Sequence, residues 1–212
     1  MSLARSMVRA AGVALAAAAL AACVTVFPKT KPVQLYRFTA PQPAAEAPQG
    51  EVTPVGVFKN RTSFSRAVAS DRILTMSGSK AAYIADARWV SPASVLFDEA
   101  LNQAFDDNVG PARLVVRGEA SRAAYFLRVE VNGFEADYDH GSRGAPTVLV
   151  KLRAVLTRSS DRALIGDVTF DVRTRAKNNR VGSIVEAFDE ASGEAIAKLI
   201  AWTNEKAVPT KD

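Results

Sequence analysis

Val148-Leu149-Val150-Lys151-Leu152-Arg153-Ala154 places Val148, Val150, Leu152 and Ala154 on one side of an extended chain, with Lys151 and Arg153 on the other. Successive side chains of a strand point to opposite faces, so this run reads as a strand with one apolar and one polar face. Two more runs repeat the pattern. Leu127-Arg128-Val129-Glu130-Val131 alternates apolar and charged residues, and Asp167 to Arg173 lines up Val168, Phe170 and Val172. Period two in three successive runs predicts a sheet buried on one face and wet on the other. The connections suit hairpins. Asp139 to Pro146 is rich in glycine, and Ser159-Ser160-Asp161 is a short polar turn. Arg128 and Glu130, then Lys151 and Arg153, then Asp167, Asp171 and Arg173 fall on the wet side, where opposite charges on neighbouring strands can pair.

Two helices are expected around this meander. Ser91-Pro92 is a start signal: serine can cap, and proline suits the first helical position. Phe97, Leu101, Ala104 and Phe105 then recur at helical spacing, until Val109-Gly110-Pro111 stops the run. The second helix spans about Ser183 to Asn204, with a stripe of Phe188, Ala191, Ala195, Ile196, Leu199 and Trp202. Gly193 inside it costs about 1 kcal/mol relative to alanine, so packing must hold that helix together. Upstream, Leu35 to Phe38, Val52 to Phe58, Arg72 to Met76 and Ala81 to Trp89 read as strands, with a turn at Ser77-Gly78-Ser79. Asn60 to Ser70 is ambiguous, and Ala40 to Gly50, with three prolines, reads as a solvated loop. The expected fold class is α+β, a mainly antiparallel sheet with two amphipathic helices on one face.

The first thirty residues have a different logic. Arg5 and Arg9 give a positive start, Ala10 to Ala19 is a short apolar run, and Leu20-Ala21-Ala22-Cys23 closes it. That order is the signature of an export signal. The run is too short for a spanning helix, which wants about 20 apolar residues. Cys23 is the single cysteine of 212 residues, so no intrachain disulfide can form. A cysteine directly after Leu-Ala-Ala reads as a lipobox, with lipid on the Cys23 thiol and cleavage between Ala22 and Cys23. One acyl chain binds a membrane only marginally, whereas two or three on one residue hold it there. The expected organisation is residues 1–22 as signal peptide, 23–33 as lipidated cysteine and tether, 34–205 as one domain, and 206–212 as a tail. Val24, not aspartate, follows the cysteine, which favours the outer membrane by the sorting rule of enteric bacteria.

Composition narrows the function. Loss of residues 1–22 removes two of 27 basic residues, leaving 25 against 22 acids and a side-chain charge of +3. That is too mild for a nucleic-acid surface, which needs a dense basic patch. Catalytic groups are scarce. With the one cysteine committed to lipid, thiol nucleophiles and thiolate metal sites are excluded. The one histidine sits in Asp137-Tyr138-Asp139-His140-Gly141. Two carboxylates and an imidazole suggest a metal site, but metal geometry usually asks for a fourth ligand and no other histidine exists. A solvated hairpin loop accounts for the same residues. No Gly-x-Ser-x-Gly elbow and no phosphate-binding glycine loop occurs. Asp106-Asp107 reads as a polar helix end. Neither an enzyme nor a cofactor is expected.

Taken in order, several stretches carry a family likeness. They are Asp71-Arg72-Ile73, Ala87-Arg88-Trp89-Val90-Ser91-Pro92 with its helix, Val131-Asn132-Gly133-Phe134-Glu135-Ala136-Asp137-Tyr138, the Val148 and Val168 strands, and the last helix with Trp202. With the lipobox and the Leu35-Tyr36 strand, they resemble the ABC-type transport auxiliary lipoproteins, the PqiC-like partners of MCE lipid transporters. The resemblance covers nearly all of the chain after Cys23. It implies a fold like the N-terminal domain of TolB and a role in lipid traffic across the periplasm. The partners it implies are an MCE-family protein, an ABC permease and an ATPase, with phospholipid or sterol-like lipid as cargo. It supplies no catalytic residue; Trp89 and Pro92 match family positions as an aromatic anchor and a helix start. A symmetric conduit partner favours a homo-oligomeric ring by analogy. The rival expectation is a structural outer-membrane lipoprotein in envelope assembly, without lipid cargo.

Overall fold

The structure is a computed structural model that describes residues 32–40, 52–115, 118, 123–141 and 143–209. In chain order its elements are β1 (Gln34–Tyr36), β2 (Val55–Lys59), β3 (Ser63–Phe64), β4 (Arg72–Ser77), β5 (Lys80–Trp89), α1 (Ala93–Asp106), β6 (Ala112–Leu114), β7 (Tyr125–Asp137), β8 (Thr147–Arg158), β9 (Leu164–Arg175) and α2 (Val181–Lys206). The signal peptide, Cys23, the tether as far as Lys31 and most of the proline-rich loop lie outside the described residues.

The alternating runs form the predicted meander. β7 pairs antiparallel with β8 along its whole length, and β8 pairs antiparallel with β9. Lys151 lies opposite Asp171 in that register. The free edge of β7 is shared by three short strands in succession: β2 opposite Tyr125 to Leu127, β3 opposite Glu130 and Val131, and β4 opposite Ala136 and Asp137. All three run parallel to β7, as β6 does to β2 and β1 to β5, while β4 and β5 form a hairpin around Gly78, at φ +58. The result is an α+β fold with a mixed, open sheet. Alternation reports which residues share a face and is silent on strand direction, so the parallel pairings were invisible to it. They arise because the chain crosses over through α1 between β5 and β7, and a crossover is what parallel neighbours require.

β7 runs six residues past Val131, where its period-two pattern fails. A bulge between Val131 and Gly133 absorbs Asn132, so Phe134 and Ala136 resume on the face that Val131 occupies. Phe134 thereby becomes the hub of an aromatic cluster. Its ring centroid lies 4.8 Å from Phe188, 5.3 Å from Phe38, 6.1 Å from Phe64, 6.2 Å from Trp89 and 6.3 Å from Phe97. Phe97 belongs to α1 and Phe188 to α2, so both helices cover the same side of the sheet. The stripe residues Leu101, Phe105, Ala191, Ile196 and Leu199 are buried there as predicted, and Trp202 is half-buried.

The start of α1 differs from expectation. Pro92 is the flanking residue, not the first helical one, and no side chain caps the helix. The first helical amide, Ala93 N–H, instead donates to the Ser70 carbonyl at 2.9 Å. A backbone acceptor from the neighbouring turn makes the serine cap unnecessary. In α2, Asp189 Oδ1 accepts from the amides of Thr39 and Ala40, both at 2.7 Å, which pins the segment after β1 to the helix.

Candidate functional face of the sheet

The side of the sheet opposite the helices carries the alternate residues of the same strands, those out of phase with the buried ones. On it the predicted charge pairing is realised. Arg153 grips Asp167 through two nitrogens, one at 2.9 Å, and lies 3.8 Å from Glu130. This guanidinium holds the Asp167 carboxyl below its ordinary range. Arg128 reaches Glu130 at 3.4 Å and Arg173 reaches Asp171 at 3.1 Å.

Beside this ladder the face turns apolar. Phe58 of β2 lies opposite Phe126 of β7, with the rings edge-on at 5.9 Å. Arg162, from the β8–β9 turn, places its guanidinium 5.7 Å over the Phe126 ring. That residue adopts φ +60, in the left-handed region that non-glycine residues rarely occupy. The two rings, Val155, Arg128 and Arg162 line a groove of about 430 Å³. No ion pair engages Arg162 among the described residues. An aromatic floor with an arginine rim can receive an amphiphilic group, apolar in one part and anionic in another.

The covered side holds a charged contact. Lys59, the last residue of β2, is nearly buried and donates to Asp98 of α1 at 2.6 Å. The same Asp98 oxygen accepts from the Thr62 hydroxyl at 2.6 Å and the Thr62 amide at 3.1 Å. Burial pushes the Asp98 carboxyl upward, but these hydrogen bonds outweigh it and leave the group below its ordinary value. A second hollow, of about 270 Å³, opens beside this contact between Arg61, Phe64 and Glu99.

The residues singled out for chemistry fare differently. Ala22 and Cys23 lie outside the described residues. His140 Nδ1 sits 2.6 Å from Asp139 Oδ1 and 2.9 Å from the Arg175 guanidinium, and Asp139 also accepts from the Thr147 hydroxyl at 3.0 Å. One ring nitrogen can donate to the carboxylate or accept from the guanidinium. Among the described residues no three of His, Cys, Asp and Glu stand close enough to hold a metal ion. Asp107 accepts from Gln103 at the end of α1, a polar helix terminus as read. Ser77-Gly78-Ser79 is a hairpin turn. No helix among the described residues is long and apolar enough to cross a membrane.

Sequence reading missed the groove. The alternation that marks the strand begins at Leu127, one residue past Phe126, although Phe126, Arg128 and Glu130 share the phase opposite to Leu127, Val129 and Val131. Arg162 lay beyond the turn and carried no signal, because its position depends on the left-handed backbone there.

Comparison with known proteins places this arrangement in context. The sequence pattern of the ABC-type transport auxiliary lipoprotein component matches residues 36–201. A crystal structure of a DUF330 protein from Xanthomonas campestris superposes with a TM-score of 0.65 at 24% identity, covering 82% of this chain and 96% of that one. A protein from Chlamydia trachomatis does so with a TM-score of 0.51 at 12% identity, covering 73% of this chain and 98% of that one. At these identities the likeness is one of fold. No curated protein matches the chain.

Proposed function

We propose a role for this protein from its family: the chain belongs to the ABC-type transport auxiliary lipoproteins. Its partners are components of an ABC-type transport system, and its place is a membrane of the cell envelope. The finer reading is a docking subunit of a lipid transport system. Signal cleavage after Ala22 and lipid on Cys23 tether the domain at the outer membrane, facing the periplasm. There it receives an MCE-family protein whose permease and ATPase supply the energy, and phospholipid or sterol-like lipid is the cargo. The domain is a binding module and not an enzyme. The TolB-like likeness and a homo-oligomeric ring belong to the same reading.

The observation that carries the docking role is the uncovered side of the sheet. The helices bury most of one face, yet the other keeps Phe58 and Phe126 beside a groove rimmed by Arg162, which has no ion-pair partner among the described residues. Aromatic and arginine side chains are the residue types that dominate interfaces. The test is to tag the C-terminus, cross-link in living cells, solubilise the membranes and identify what co-purifies. Recovery of an MCE-family protein with a permease or ATPase, lost on Phe126→Ala with Arg162→Ala, is the expected result. Recovery of outer-membrane assembly factors without any MCE protein replaces it with a structural envelope role.

A further inference from the structure

The sheet ends, where the chain enters it, in a small apolar surface. β1 is the edge strand, with Leu35 beside Arg88 and Tyr36 beside Trp89 in parallel register. The Val90 amide donates to the Tyr36 carbonyl at 2.7 Å, which extends the pairing by one residue. Side chains alternate across a strand, so Trp89 goes to the core while Leu35, Arg88 and Val90 share the opposite side. Val33 immediately precedes β1. Val33 is 46% exposed, Leu35 62% and Val90 51%. Single exposed aliphatic residues are ordinary, but three of the seven large apolar side chains exposed among the described residues meet at this one edge.

Two further facts say what covers them. Val33 follows Cys23 by ten residues, and an extended chain reaches at most about 3.5 Å per residue. Chain length alone therefore keeps this edge within about 35 Å of Cys23. The charges beside it also favour an anionic surface. Arg37, Arg72 and Arg88 stand against Asp71 and Asp86, Arg88 pairs with Asp71 at 2.9 Å, and Arg37 has no ion-pair partner among the described residues.

We infer that the β1 edge is a membrane-seating surface. Val33, Leu35 and Val90 enter the interfacial layer of the bilayer that holds the Cys23 lipid, and Arg37 and Arg88 lie at anionic headgroups. The inference rests on the lipid anchoring of Cys23 in the proposed function. Three aliphatic side chains would not hold a free domain at a bilayer. A ten-residue tether makes the contact intramolecular, so weak intrinsic affinity suffices. Seating fixes the orientation of the sheet, so that its uncovered face is presented at a set angle to the membrane instead of swinging on a string.

Lipid consumes the Cys23 thiol, so one introduced cysteine is the sole labelling site in the full lipidated chain. Leu35→Cys, Val90→Cys and Leu164→Cys are each labelled with an environment-sensitive fluorophore. Leu164 is 63% exposed on β9, across the sheet, and serves as the reference. The proteins are reconstituted in phosphatidylcholine vesicles with a minority of phosphatidylglycerol and brominated acyl chains. The expected result is a blue shift and several-fold stronger quenching at positions 35 and 90 than at 164, with the position-35 quench lost on Val90→Asp. Protein that floats with the vesicles but quenches equally weakly at all three positions overturns the seating surface and leaves the anchor standing. Protein that does not float overturns the anchor, and the seating surface with it. A photocross-linker at position 35 that captures a protein in cells, and no lipid, assigns the patch to a protein partner and also overturns the inference.

Discussion

The two faces of the long meander are built from the same three strands, yet they differ in what their residues meet. On the covered face Phe134 touches five aromatic rings and is 2% exposed. On the uncovered face Phe126 has one ring neighbour, Phe58, and one guanidinium. Each face also holds an ion pair. Lys59 and Asp98 meet under α1 with little access to water, whereas Arg153 meets Glu130 and Asp167 in the open. The difference teaches that the residue types do not set the energetics here. Cover does: a phenylalanine or an ion pair is costly to remove only where water cannot replace what is lost.

The comparison can be broken most directly at its two phenylalanines. Phe134→Ala is expected to lower unfolding stability by about 3–5 kcal/mol, because α1 and α2, both packed over it, keep the vacated volume from closing. Phe126→Ala should cost under about 1 kcal/mol, since its ring already borders a solvent groove. Urea unfolding of both variants settles it; equal losses would mean that the uncovered face is as tightly packed as the core.

Next in size is the sheltered ion pair of Lys59 and Asp98. Asp98→Ala leaves the Lys59 ammonium without its carboxylate in a site with little water, and about 2–3 kcal/mol of stability should be lost. The pH dependence has a definite sign. The folded Asp98 carboxyl lies below its ordinary value, so its contribution is present above the unfolded carboxylate range, near pH 4, and fades as pH falls through the lower folded value. Wild type and Asp98→Ala should therefore converge in stability as the pH is lowered from 5 toward 2 in about one-unit steps. A constant gap across that range would assign the loss to packing alone.

The fit of α2 on β9 is tested by Gly166→Ala. A Cβ at Gly166 would lie 2.7 Å from the Trp202 ring, so the helix must lift or the indole must turn. A cost of about 1–3 kcal/mol follows, visible in thermal melts and in Trp202 fluorescence. The smallest effect belongs to the wet side. Arg153→Ala should change stability by under about 1 kcal/mol, and added salt should shrink even that. A loss as large as that of Asp98→Ala would show that the uncovered face is sheltered by something beyond the described residues.

Much of this was legible beforehand where the pattern is periodic. The β7–β9 meander, both helical stripes, the Ser77–Ser79 turn and the cross-strand charges on Arg153 follow from spacing alone, because a strand and a helix each impose a fixed period on their buried residues. The bulge at Asn132 was not, since one inserted residue destroys the period that would announce it. For that reason the alternation marks β7 only as far as Val131 and gives no sign of Phe134 as the hub. β3 and β6 are two and three residues long, below the length at which alternation can be detected.

The sequence by itself determined the class of the fold, which residues share each face where the period is unbroken, and family membership through the order of its motifs. It also carries the lipobox around Cys23, on which the proposed anchor rests. Tertiary structure alone decided that three short strands share one edge of β7 in parallel and that Phe58, Phe126 and Arg162 come together on the face the helices leave uncovered. Alternation is a local property of the chain. Strand direction, the choice of covered face and the meeting of residues a hundred positions apart depend on which distant segments pack together.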